Sequence, residues 1–166
     1  MAVFNPRDNS RTAGRTGEKK KKWLECFIPR RLEMLRSPAW QAVPRPLSRI
    51  IERLEIEHLC HGGFSNGELY VSYRQFVDYG VSKKSIRPLL TLGEALGLLE
   101  VIQGEGVIRG DIRPENAYRL TYVPAKGKLN PTDEWKTITP QRADQLIARY
   151  RADEVSGCKA TKRAAA

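Results

Sequence analysis

The chain has 166 residues, 40% of them hydrophobic and 29% charged, with a formal net charge of +10 and an isoelectric point near 9.8. That length allows one domain with a real core plus tails, and the positive excess points to polyanionic partners: DNA, RNA or an anionic membrane surface. Cys26, Cys60 and Cys158 show no CxxC spacing and cannot all pair, and no apolar run approaches the roughly 20 residues of a membrane span, so a soluble, cytoplasmic protein is expected rather than a secreted or membrane-spanning one.

The charge is uneven along the chain. Residues 1–22 hold seven Lys/Arg against two acids, residues 23–123 thirteen against twelve, and residues 124–166 nine against five. The first segment, ending GRTGEKKKK, is too poor in large apolar residues to offset the entropy of ordering, and reads as a disordered basic tail. Its Lys19, Lys20, Lys21 and Lys22 would add phosphate contacts that raise affinity without adding sequence preference.

Order is expected from Trp23. A short helix is predicted over Pro29 to Leu35, then a second in SPAWQAV with Ser37 as cap and Pro38 in the first helical position. Pro44 and Pro46 read as an interruption. From Leu47 the period is helical, with Leu47, Ile50, Ile51, Leu54 and Leu59 on one side, and Gly62-Gly63 ends the helix. Asn66-Gly67 signals a turn and Leu69–Val71 a short strand. Ser72 caps SYRQFVDYG, Gly80-Val81-Ser82 forms a tight turn, and a further helix runs to about Gly97. Within that helix either Ser82 or Ser85 is the cap; the reading favours Ser85, because Pro88 then falls in the first turn. Leu98 to Gln103 and Ala117 to Val123 read as strands around the glycine-rich GEGVIRGDIRPEN.

That order predicts an α+β, mostly helical fold: a winged helix-turn-helix over residues 23–123, with a three-helix core, a small antiparallel sheet and a wing hairpin. A polar linker (124–138), an amphipathic C-terminal helix (139–152) and a disordered tail (153–166) follow. In the last helix Leu146, Ile147 and Tyr150 form a stripe that either builds a homodimer or folds back on the domain.

On the helix after the turn, Ile86, Leu89, Leu90, Gly93 and Leu96 share one face, while Lys84, Arg87 and Thr91 point away. A helix entering the DNA major groove needs that division. Lys84 and Arg87 are the expected base-reading residues. Ser82, Lys83 and Ser85 are expected on phosphates near the helix start, with Tyr73 and Arg74 of the preceding helix. Arg109 and Arg113 would reach out from the wing. The bland alternative is a solvated face, and it is weakened by the helix-turn-helix around it. In EHLCHGG, Glu57, His58, Cys60 and His61 lie close together, but no further ligand has metal-site spacing, and a capped helix end explains them better. No metal, cofactor or catalytic constellation is expected, and no enzyme.

The set SPAW, IEH-x-x-HGG, NG-x-L-x-V-x-Y-x-x-F, the Gly-Val before the basic helix, and YRLTY resembles a family of small winged helix-turn-helix proteins of bacterial plasmids, prophages and integrative elements. Their fold is similar to the winged domains of plasmid replication initiators. The likeness spans about Phe27 to Pro124 and departs from the pattern at Pro44, Pro46 and Pro88. It implies double-stranded DNA binding, and a regulator of a mobile element as the role. A replication or excision accessory factor would use the same surface. A protein-docking winged domain would instead present apolar or acidic residues on the exposed helix face.

Overall fold

The computed structural model describes residues 27–104 and 116–164, with backbone alone for 156–164. Among these residues six α-helices and three strands, numbered here in chain order, are interrupted by one 3-10 turn. Two four-residue helices come first, α1 (Leu32–Leu35) and α2 (Pro38–Gln41). Ser37 starts α2 as expected: its hydroxyl accepts the Trp40 N–H at 3.2 Å, and Pro38 stands where no N–H is needed.

The two prolines expected to interrupt the chain instead begin α3 (Arg45–Cys60). Pro44 is the extended cap and Pro46 lies in the first turn, where a missing N–H costs nothing. Leu47, Ile50, Ile51 and Leu54 are fully buried. Toward the end of α3, His58 rather than Leu59 takes the inward place, and Leu59 is half-buried. Gly62 and Gly63 follow with φ of 72° and 79°, and the Gly63 N–H closes the helix on the His58 carbonyl.

Strand β1 (Leu69–Tyr70) leads into α4 (Tyr73–Asp78), which opens with a reciprocal capping box: Ser72 Oγ accepts the Gln75 N–H, and Gln75 Oε1 accepts the Ser72 N–H. Helix α5 (Lys83–Ala95) follows, then β2 (Leu99–Ile102) and β3 (Ala117–Leu120). The sheet is antiparallel with order β1-β3-β2, pairing Leu69 with Tyr118 and Leu99 with Leu120. Tyr118 is fully buried at the centre, its ring edge-on to Phe76 of α4 at 5.7 Å, which locks sheet to helix.

Segment 124–138, read as a linker, packs onto the domain. The 3-10 turn Glu134–Thr137 buries Trp135 against the core, and Arg119 reaches Glu100, Thr132 and Glu134 at 2.5–2.7 Å. Helix α6 (Pro140–Ala164) then runs well past the expected end at 152. Ala143 and Tyr150 are buried and Leu146 and Ile147 half-buried on the chain's own core, with α6 touching α2 and α5. The stripe, which the sequence leaves open between a homodimer and a fold-back, packs in part on the chain's own core, with Leu146 and Ile147 still half-buried.

A buried charge cluster ties the first described residues to this frame. Glu55, 8% exposed, receives Arg30 in a two-point fork at 2.9 and 2.5 Å and the Tyr122 hydroxyl at 2.6 Å. The Arg30 guanidinium also lies 5.1 Å from the Trp40 ring centroid. Burial, with the Glu55 charge beside it, raises the Tyr122 phenol well above its ordinary range, and the Glu55 bond raises Arg30.

Candidate nucleic-acid interface

The site rests on how α4 hands over to α5. Gly80 has φ of 90°, a conformation that side chains resist, and its N–H bonds the Val77 carbonyl at 2.8 Å. Val81 plugs the core, so the turn cannot slide. From outside, Arg49 Nη1 of α3 donates to the Tyr79 carbonyl at 3.1 Å and lies where a Cβ on residue 80 would be only 2.7 Å away. Three helices thus fix the direction in which α5 leaves the turn.

Helix α5 begins at Lys83 with Ser82 as its cap residue, not Ser85 as the sequence reading favoured. The Ser85 N–H already bonds the Ser82 carbonyl at 2.9 Å, so Lys83 and Lys84 are helical. Pro88 accordingly sits beyond the first turn and removes the N–H that would bond the Lys84 carbonyl, a cost of ~3 kcal/mol in a free helix. Burial of Ile86, Leu89, Leu90 and Leu92 on either side of it offsets that cost.

The faces of α5 divide cleanly. Ile86, Leu89, Leu90, Gly93 and Leu96 are buried as the periodicity required, and Ser82, Lys83, Lys84, Arg87, Pro88 and Thr91 are exposed, with Ser85 half-buried. Gly93 lies against Leu99, where a Cβ would stand 2.7 Å from Leu99 Cδ2, so the helix sits close on β2. Lys83, Lys84 and Arg87 form no ion pair with any described residue, whereas Arg30, Arg31, Arg53, Arg74, Arg119, Lys126 and Lys136 each have an acidic partner. Arg36, Arg45, Arg49, Lys128, Arg142, Arg149 and Arg151 likewise lack an acidic partner among the described residues, but they are scattered over other elements, with Arg49 bonded to the Tyr79 carbonyl.

Tyr73 and Arg74 occupy the first turn of α4 as expected. Tyr73 is about one-third exposed, and Arg74 is out in solvent with Asp78 4.0 Å away, a contact worth little. Tyr118 behind them has its phenol pushed up to about 12 by burial, with the Tyr73 phenol adding to the effect. Lys19, Lys20, Lys21, Lys22, Arg109 and Arg113 lie outside the described residues.

One part of the site escaped the sequence reading. Leu92 was not placed on the buried face, yet it is buried, because α6 covers that flank of α5. Together Arg87, Pro88, Thr91, Leu92 and Ala95 of α5 and Leu146, Arg149, Tyr150 and Asp153 of α6 line a groove of about 370 Å³. The only sequence signal was the apolar stripe of α6, which does not say what it packs on.

The EHLCHGG residues diverge. His58 is buried with Nδ1 unpartnered and its pKa lowered by desolvation, His61 Nε2 stands 3.6 Å from Glu57, and Cys60 is exposed. Among the described residues no cluster of three His, Cys, Asp or Glu side chains is placed to hold a metal ion, and no helix is long and apolar enough to cross a membrane. Compared with protein-family models, curated proteins and solved structures, the chain finds no match.

Proposed function

We propose that the chain is a sequence-specific double-stranded DNA-binding protein of winged helix-turn-helix type, with α5 as the recognition helix. The observation that carries this reading is the exposed face of α5. Lys83, Lys84 and Arg87 stand there without carboxylate partners, next to Thr91, on the second of two helices joined by a rigid tight turn. Cations left unpaired on a small, uncluttered helix face suit phosphate and base edges. The order α3-β1-α4-α5-β2-β3 and the sheet order β1-β3-β2 support the fold part of the reading. In it Lys84 and Arg87 face bases, and Lys83, Ser82 and Tyr73 face the sugar-phosphate backbone. The role as a regulator of a mobile element rests on the resemblance of SPAW, IEH-x-x-HGG and YRLTY alone.

The test is selection of fragments from a genomic DNA pool at two salt concentrations, with the Lys84→Ala/Arg87→Ala variant in parallel. A few enriched fragments at the higher salt, lost by the variant, support the reading. A Lys83→Ala variant, which removes a phosphate contact instead, should flatten the salt dependence of log K by about 0.9. Weak binding that ignores sequence and survives the double substitution would overturn it.

A further inference from the structure

The groove between α5 and α6 has two chemistries. Its floor is apolar, from Pro88, Leu92 and Ala95 on one side and Leu146 and the Tyr150 ring on the other. Its mouth carries two guanidiniums, Arg87 from α5 and Arg149 from α6, against one carboxylate, Asp153. Both arginines are exposed and unpaired among the described residues. Phosphodiester recognition has no use for an apolar floor. An apolar floor of this kind favours an apolar occupant, and two planar guanidinium forks favour a carboxylate. The volume of about 370 Å³ lies at the lower end of the ~300–1,000 Å³ typical of small-molecule pockets, enough for a one- or two-ring compound.

We propose that this groove is an effector site for a small apolar carboxylic acid, ring side down on Leu92, Ala95 and Leu146, its carboxylate held by Arg149 and Arg87. Binding in the groove stands on this geometry alone. Its consequence rests on the DNA reading given above: Arg87 belongs to both surfaces, so a carboxylate that engages it competes with DNA. By linkage, DNA weakens the acid by the same factor.

The test uses the full chain without DNA, titrated with 2-naphthoate, with 2-naphthalenemethanol and with acetate, and followed by calorimetry and by chemical shifts of the Leu92 and Leu146 methyl groups. Naphthoate is expected to bind at least about tenfold more tightly than the alcohol, since a charge-assisted hydrogen bond is at stake. Acetate, which lacks the apolar body, should not bind measurably. Arg149→Gln, a change at an exposed position that leaves the core alone and keeps Arg87, should remove a large part of naphthoate's advantage over the alcohol. Ala95→Phe should fill the floor and abolish both; unliganded melting reports whether that variant folds, and Arg149→Gln decides the matter if it does not. No naphthoate binding at millimolar concentration, or binding that Arg149→Gln leaves unchanged, overturns the site. A second arm measures DNA affinity with and without naphthoate. Acid binding that leaves DNA affinity unchanged overturns the competition but keeps the site, and acid binding by a chain that takes no DNA removes the DNA reading alone.

Discussion

Asn66 offers the sharpest test of how the frame behind α5 is held. It is fully buried, and its side-chain carboxamide behaves as an extra peptide unit. Strand β1 begins only at Leu69, opposite Tyr118, so the N–H and C=O of Leu120 on β3 lack the neighbour that would have paired them. Asn66 supplies the substitute. Its Oδ1 accepts the Leu120 N–H at 2.7 Å, and its Nδ2 donates to the carbonyls of Leu120 and Val123, both at 2.8 Å. Those partners also fix which end of the amide is nitrogen. Asn66→Ala leaves one buried N–H and two carbonyls unpaired. At ~1 kcal/mol for each bond lost and 1–3 kcal/mol for a dry donor, with one water able to enter the space, the loss should be about 3 kcal/mol. Against a total of roughly 5–15 kcal/mol this is large, and it should appear as a lower urea midpoint with an unchanged slope, followed by tryptophan fluorescence.

Asn66→Asp carries the sign of the argument. It keeps the acceptor for Leu120 but turns an oxygen toward two carbonyls, which favours the protonated acid and raises its folded-state pKa above the ~3.9 of the unfolded chain. The variant should therefore be nearest to wild type below that unfolded value, and lose stability as pH rises through the folded one. At neutral pH it should be less stable than the alanine variant. A loss under about 1 kcal/mol for Asn66→Ala would refute the reasoning, as would an Asp variant no worse than Ala at neutral pH and indifferent to acid.

Three further outcomes are expected. Gly97 has φ of 67°, and a Cβ there would stand 2.7 Å from the backbone of Glu134 and Trp135; Gly97→Ala should cost well over the ~1–2 kcal/mol of left-handed strain alone, while Gly127→Ala, at φ of 73° in open space, should cost only the strain, both read from denaturation midpoints. Glu55→Gln removes the charge that Arg30 and Tyr122 share; because Arg30 is about one-third exposed and can be solvated, the loss should fall near the lower end of the ~3–5 kcal/mol seen when a buried pair is broken, and Arg30→Met, which strands the buried Glu55 carboxylate, should cost more. The His58 pKa is held down by desolvation, so the unfolded chain binds the extra proton: stability should be full above the unfolded value of about 6.5 and fall as pH drops below it, and His58→Phe should flatten that decline in midpoints measured at neutral and mildly acid pH.

Much of the fold was legible because its signals are local. The Ser72–Gln75 box, the Ser37-Pro38 start, the glycines at 62, 63, 80 and 97, and the spacing of Ile86, Leu89, Leu90 and Gly93 each act within one or two turns of chain. The exposed cationic face of α5 follows from the same periodicity. Local signals were ambiguous where two caps competed: Ser85 would have spared Pro88 its cost, but burial on both sides of the proline carries the helix back to Lys83.

What only the tertiary structure decided was which surface covers which. Asn66 reads as a turn residue, yet its partners lie 54 and 57 residues away. Trp135 sits in a polar stretch and still fills the core beside Gly97. Leu146, Ile147 and Tyr150 form a stripe that a second copy or the chain itself could cover equally well by pattern. An amphipathic pattern records that a face must leave water, because transfer of apolar surface is non-directional. The partner is chosen by chain closure, here the short path from Trp135 against Gly97 into α6, which lays that helix along the flank of α5 and makes the groove that holds Arg87 and Arg149 together.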